Sequence, residues 1–462
     1  WASNEYLNNK NGEMVLPKQL VNKKASTGFV SDANGTKYYS TSGYEAKNAF
    51  IQDENGNWYY FNNRGYLVTG AQEIDGKQVY FLKNGIQLRD SLREDENGNQ
   101  YYYDKTGAQV LNRYYTTDGQ NWRYFDAKGV MARGLVTLGG NQQFFDQNGY
   151  QVKGKIARAK DGKLRYFDKD SGNAATNRFA QGDNPSDWYY FGADGVAVTG
   201  LQKLGQQTLY FDQDGKQVKG KIVTLADKSI RYFDANSGEM AVGKFAEGAK
   251  NEWYYFDQAG KAVTGLQKIG QQTLYFDQDG KQVKGKVVTL ADKSISYFDA
   301  NSGEMAANKF VEGAKNEWYY FDQAGKAVTG LQKIGQQTLY FDQNGKQVKG
   351  QLVTLADKSI RYFDANSGEM ASNKFVEGAK NEWYYFDQAG KAVTGLQQIG
   401  QQTLYFDQNG KQVKGKIVYV NDANRYFDAN SGEMARNKWI QLEDGSWMYF
   451  DRNGRGRRFG WN

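Results

Sequence analysis

Seven tryptophans mark a slow beat along this chain. Trp58, Trp122, Trp188, Trp253, Trp318, Trp383 and Trp447 are separated by 64, 66, 65, 65, 65 and 64 residues. A period this long and regular outranks local signals, because every copy must fold alike and stack on its neighbours. Inside one period, Trp253 to Glu317, three aromatic runs recur: Trp253-Tyr254-Tyr255-Phe256-Asp257, Thr273-Leu274-Tyr275-Phe276-Asp277 and Ser296-Tyr297-Phe298-Asp299. The Tyr-Phe pairs at Tyr255, Tyr275, Tyr297 and Tyr320 step by 20, 22 and 23 residues. Units so short cannot bury an apolar face alone, so adjacent units must bury it for them. The expected fold is all-β: a solenoid of about 20 stacked β-hairpins, three per super-repeat of about 65 residues.

The period divides the 462 residues into a lead-in, 1–35, without a Tyr-Phe pair, and a repeat region, 36–462. Trp1 in place of Met points to a fragment or a processed product. Early units drift, with Tyr102-Tyr103 and Phe144-Phe145 in place of the pair. The last unit degenerates into Arg455–Trp461, as expected of a cap.

Each unit reads as a hairpin around a Gly-bearing turn such as Asp277-Gln278-Asp279-Gly280. With those four residues as the loop, Phe276 opposes Lys281, Tyr275 opposes Gln282, Leu274 opposes Val283 and Thr273 opposes Lys284. Alternation then turns Leu274, Phe276 and Val283 inward and Thr273, Tyr275, Gln282 and Lys284 outward. In the tryptophan unit, Tyr254, Phe256 and Val263 turn inward, and Trp253, Tyr255, Ala262 and Thr264 outward. Leu266, Val287, Val288 and Phe310 are expected to plug the interior.

Gln-x-Lys occurs only in the middle unit of each triplet: Gln151/Lys153, Gln217/Lys219, Gln282/Lys284, Gln347/Lys349 and Gln412/Lys414, with Gln87/Arg89 as an early variant. Solubility alone does not require that restriction. An amide, an ammonium and an outward tyrosine suit a neutral polyol, whose C–H face lies on a ring while its hydroxyls pair with groups that both donate and accept. The candidate platforms are Tyr210, Tyr275, Tyr340 and Tyr405 in the same unit and Tyr190, Tyr255, Tyr320 and Tyr385 in the tryptophan unit, with Trp253 a third choice.

Composition closes other routes. The chain has no Cys and no His, which excludes disulfides, thiolate or imidazole metal sites and Ser-His-Asp or Cys-His catalysis. The net charge of +7 comes from 59 basic and 52 acidic residues, well interspersed, which is no nucleic-acid footprint. No apolar run approaches a membrane span. Asp212-Gln213-Asp214-Gly215 is turn chemistry, since its Gly and the missing Glu do not fit an EF-hand. No cofactor or metal is expected, and no acidic pair is singled out as general acid and base.

Residues 253–265 (Trp-Tyr-Tyr-Phe-Asp-Gln-Ala-Gly-Lys-Ala-Val-Thr-Gly) and 274–285 (Leu-Tyr-Phe-Asp-Gln-Asp-Gly-Lys-Gln-Val-Lys-Gly) resemble cell-wall-binding and glucan-binding repeats. The region from about residue 36 resembles the C-terminal glucan-binding domain of bacterial glucosyltransferases, the streptococcal glucansucrases. The resemblance implies a β-solenoid, a secreted or cell-surface location and non-catalytic binding of α-glucan such as dextran. It implies that Tyr210, Gln217, Lys219 and their copies form sugar pockets, and that residues 1–35 leave an upstream catalytic part. The module is expected to act as a monomer. Choline-binding repeats are related and are the alternative. They place Gly-Trp after the second strand, where this chain has Gly265-Leu266 and Gly330-Leu331, with Gly-Trp only at Gly460-Trp461.

Overall fold

The computed structural model describes residues 27–458 and the backbone of Leu7–Asn8 and Met14–Val15. Most of the expected lead-in and the Gly460-Trp461 pair lie outside the described residues. The described residues contain no helix. Among them, twenty successive hairpins run from Gly28–Asp32 paired with Gly35–Tyr39 to Lys438–Gln441 paired with Trp447–Phe450. The boundary expected after residue 35 is corrected, because it would cut the first of these ladders, where Asp32 opposes Gly35.

The chain forms two compact units, Trp1–Lys219 with Phe233–Met240, and Gly220–Tyr232 with Ala241–Asn462. Each is built of two-stranded hairpins that recur in triplets. In the second unit the reference triplet pairs Lys244–Glu247 with Trp253–Phe256, Gly265–Ile269 with Gln272–Phe276, and Lys286–Thr289 with Ile295–Phe298.

The hairpin turn is not where the Asp-Gly loop suggested. Leu266 opposes Tyr275 and Gln267 opposes Leu274, so the aromatic strand pairs with the segment before it. The two-residue turn is Gly270-Gln271, with Gly270 at φ +61°, the geometry that a two-residue turn with Gly first requires. The Asp277–Gly280 loop does reverse the chain, but it leads to a single bridge, Phe276 opposite Gln282. The expected register is therefore off by one. The Asp277 N–H donates to the Lys281 carbonyl at 2.9 Å, which draws a fifth residue into the loop.

The segment returning from each such loop joins the preceding hairpin. The Ala262 N–H donates to Ile230 O (2.9 Å), Gln282 N–H to Trp253 O (2.7 Å) and Met305 N–H to Thr273 O (2.8 Å). Two-stranded ladders are marginal alone, and these bonds tie each one to its neighbour.

Alternation within the aromatic strands holds regardless of partner. Leu274 and Phe276 are buried, as are Tyr254 and Phe256. Val283 and Val263, expected inside, are only half-buried, because the shifted register carries them off the core line. Tyrosines of one hairpin cover the fully buried phenylalanine of the next: Tyr232 on Phe256 (centroids 6.2 Å apart), Tyr275 on Phe298 (5.4 Å) and Tyr297 on Phe321 (6.3 Å). Offset aromatic contacts of this kind add about 0.5–1.5 kcal/mol each beyond burial. Val287 packs with Ala306, Tyr319 and Phe321 as an interior plug. Leu266 and Phe310 do not plug anything. They are 46% and 38% exposed; both lie on first strands, opposite Tyr275 and Tyr320.

Candidate functional site: the glutamine–lysine step

Each Gln-x-Lys follows a loop built on its own aspartate. Asp277 Oδ1 accepts the N–H groups of Asp279 (3.0 Å) and Lys281 (2.8 Å). This side-chain turn delivers Gln282 beside Trp253, whose carbonyl takes the Gln282 N–H. From there both long side chains reach the aspartate turn that follows the third hairpin. Gln282 Nε2 donates to Ser302 O at 3.3 Å and Lys284 Nζ to Asn301 O at 3.0 Å.

The arrangement repeats in both units. Gln217 and Lys219 reach Ser237 O (3.3 Å) and Asn236 O (3.1 Å). Gln347 and Lys349 reach Ser367 O and Asn366 O, and Gln412 and Lys414 reach Ser431 O and Asn430 O. Gln151 and Lys153 reach Ser171 O (3.4 Å) and Asp170 O (2.9 Å).

The receiving loop is itself pre-set. Asp299 Oδ1 accepts from Ser302 N, Asn301 N and Ser302 Oγ, at 2.9, 2.9 and 3.1 Å. The backbone N–H groups of Ser302 and Asn301 hold the Asp299 carboxyl below its usual range. Gly303 closes that loop at φ +74°, and a Cβ there would lie 2.3 Å from Gln282 Nε2. The site thus favours glycine by conformation, and any larger residue would also displace the Gln282 amide.

The expectation that tyrosine, amide and ammonium project together into open water is corrected. Tyr275 lies on Phe298 and its copies Tyr210, Tyr340 and Tyr405 on Phe233, Phe363 and Phe427. The glutamine and lysine are half-buried clamps on the next loop. Groups for a ligand still remain. Among the described residues the Gln282 Oε1 acceptor has no hydrogen-bond partner, and Lys284 uses one of its three donors.

The open aromatic surface lies one hairpin earlier. Trp253 and Tyr255 share a strand face, and Phe245 stands opposite Tyr255 with rings 4.9 Å apart, edge to face. The pairs Phe179/Tyr190, Phe310/Tyr320 and Phe375/Tyr385 repeat this at 4.8–4.9 Å. Sequence reasoning missed these phenylalanines, although they recur at 179, 245, 310 and 375. Reading the first strand as a linker hid their face. The clamp lysine also meets the tryptophan: Lys349 Nζ is 5.9 Å from the Trp318 ring and Lys414 Nζ 5.7 Å from Trp383.

The Trp122 copy carries open space beside the clamp. Tyr114, Trp122, Gln151, Lys153 and Ser171 line a cavity of about 270 Å³, and a second of about 290 Å³ adjoins it at Trp122, Gln151 and Lys153. Here Gln143 replaces the core leucine found at 209 and 274. Its Oε1 accepts from Tyr114 Oη (2.5 Å) and Gln151 Nε2 (2.7 Å), and its Nε2 donates to Asn173 Oδ1 (2.8 Å). A satisfied polar network of this kind fixes the position of Gln151.

A family model described as "Choline-binding repeat" matches residues 68–114, 132–179, 198–245, 263–310, 328–375 and 393–439. One described as "Putative cell wall binding repeat" matches 48–67, 177–197, 249–262, 308–327 and 373–392. The chain is similar to Glucosyltransferase-S of Streptococcus mutans, 50% identical over 85% of this chain and 27% of that protein. It is similar to Glucosyltransferase-I of Streptococcus downei, 39% identical over 100% of this chain and 35% of that protein. It therefore spans about a quarter to a third of the length of these relatives. Among solved structures it is similar to the autolysin LytC of Streptococcus pneumoniae in complex with a synthetic peptidoglycan ligand, with 19% identity, 56% of this chain and 52% of that one covered, and a TM-score of 0.39.

Proposed function

The chain belongs to the choline-binding repeat family, and on that premise we propose that it is a non-catalytic module that binds α-glucan, of the dextran type, at several repeated sites. It is secreted or held at the bacterial cell surface, and it tethers a glucosyltransferase to its polymer product. The residues of each site are the clamp pair (Gln151/Lys153, Gln217/Lys219, Gln282/Lys284, Gln347/Lys349, Gln412/Lys414) and the tryptophan of the preceding hairpin. The sugar's C–H face lies on the indole face, and its hydroxyls meet the glutamine oxygen and the remaining lysine donors. Tyr190, Tyr255, Tyr320 and Tyr385 back the platform, and Tyr210, Tyr275, Tyr340 and Tyr405 fix the clamp from beneath.

The observation that carries this reading is the lysine beside the tryptophan, at 5.9 and 5.7 Å in two copies. An ammonium already near the ring repels a second cation and suits a neutral, hydroxyl-rich ligand. The choline reading draws on the description of the matching repeat. It requires aromatic faces free of cations.

One site for one or two glucose units is worth roughly 4 kcal/mol, a Kd of about 1 mM. Linked sites on one polymer raise the overall affinity by about 10²–10⁴. The test is retardation of the whole chain in gels containing dextran, beside retention on a choline-bearing resin. The reading expects dextran retardation, weakened when the clamp glutamines are replaced by alanine. Retention on choline without retardation by dextran would favour the alternative, and no binding to either would leave a passive stalk.

A further inference from the structure

A broad concave surface in the first unit lies away from the clamp. It is a groove of about 720 Å³ where the hairpin Gly134–Leu138/Asn141–Phe145 meets the start of the next, Lys155–Arg158. Its floor is Phe144, Phe145 and Ala159, and Arg133, Arg158 and Lys160 line its walls. All three cations are exposed.

The other copies supply an internal control. Where this copy has Arg133, Arg158, Ala159 and Lys160, the following copies have Thr199, Thr224, Leu225 and Ala226, then Thr264, Thr289, Leu290 and Ala291. Three neutral residues become cations and one leucine shrinks to alanine, all around one groove. This copy also departs from its neighbours elsewhere, as at Gln143 and Phe144, but these four changes fall around one groove and together add three positive charges to it. One lining carboxylate, Asp146, stands against three cations, and its Oδ1 is turned to its own loop. Asp146 Oδ1 accepts the N–H groups of Asn148 and Tyr150, both at 2.8 Å, within its own loop. Arg158 Nη1 donates to Gly162 O at 2.6 Å, which leaves the rest of its fork available.

We propose that this groove binds a polyanionic chain bearing phosphodiester or carboxylate groups, independently of the glucan sites. Two guanidinium forks and an ammonium around an apolar floor match anionic groups spaced along a sugar or polyol backbone. Attraction across an open groove is screened by salt, so the binding weakens as ionic strength rises.

The test uses the whole chain, with polyphosphate and polygalacturonate as probes and dextran as the neutral reference. The variant Arg133→Thr/Arg158→Thr/Lys160→Ala installs residues that the neighbouring copies already carry at these places, so its fold is retained. A second variant, Lys203→Gln/Lys268→Gln/Lys333→Gln, removes the same charge elsewhere, using the residue the last copy has at Gln398. The groove variant should lose at least tenfold in affinity for one or both polyanions at low salt, with dextran binding unchanged. The charge-matched variant should change less than threefold. Loss for polyphosphate alone identifies phosphate as the partner group, and loss for polygalacturonate alone identifies carboxylate. Equal losses in the two variants, or no polyanion binding by the parent chain, would overturn the proposal. Because dextran is read separately, failure here is distinct from failure of the glucan reading.

Discussion

Gln282 shows how one side chain serves packing and recognition together. Its Nε2 steadies the turn that follows the next hairpin while its Oε1 stays available, and Gly303 leaves the room it needs. Gly303→Ala should cost about 1–2 kcal/mol for the left-handed backbone alone, plus the displacement of Gln282. In a Gln282→Ala background the second part disappears, so the two changes together should cost less than their sum. Hydrogen exchange of the 286–298 hairpin reads both, and strict additivity would remove the clamp from the account. The loop aspartates make a second prediction. Backbone N–H groups hold the carboxyls of Asp299, Asp364 and Asp428 low, and that of Asp168 at about 2. Carboxyls depressed in the folded state contribute stability above their ordinary range of about 4 and lose it as pH falls through the folded values. With no histidine in the chain, the melting temperature should be flat from pH 8 to 5 and should fall below about pH 4. A fall between pH 8 and 5 would contradict this.

At the scale of the hairpin, much was legible and one step was not. Leu274 and Phe276 read as inward because alternation along a strand does not depend on its partner. The aromatic strand of the middle hairpin, however, has a glycine turn on either side. Asp277–Gly280 looked like the hairpin loop, whereas Gly270-Gln271 is the loop and the aspartate turn hands the chain to a neighbouring hairpin. Nothing local separates the two, since the choice rests on the Gln282–Trp253 bond between hairpins. That slip kept Phe245 and Phe310 from being read as outer aromatics and placed the tyrosines in open water. Polar staples between hairpins are replaceable, but the rings are not. Arg231, Arg361 and Arg425 donate to the carbonyls of Ala259, Ala389 and Asn453, while the reference triplet has Ser296 in that slot, donating to Gly325 O at 2.7 Å. Arg361→Ser should therefore cost under about 1 kcal/mol, whereas Phe363→Ala, in a fully buried position, should cost about 3–5 kcal/mol. Exchange protection of the 351–363 hairpin separates the two, and equal losses would mean the staples matter as much as the aromatic stack.

For the whole chain, the tryptophan beat announced both the repeat and the number of hairpins, because stacked copies must share one length. It also made the copies look equivalent, which they are not. The Trp122 copy opens beside Gln143, and the 133–160 groove carries cations that its neighbours lack. On the proposed reading, weak sites act together through avidity. The decisive measurement is dextran gel retardation of the whole chain with clamp glutamines changed to alanine one copy at a time, then all together at Gln151, Gln217, Gln282, Gln347 and Gln412. The account predicts less than about threefold weakening for single changes and a loss of about 10²-fold or more for the full set. Unchanged retardation of the full set would contradict the claim that the glutamine–lysine step holds the glucan.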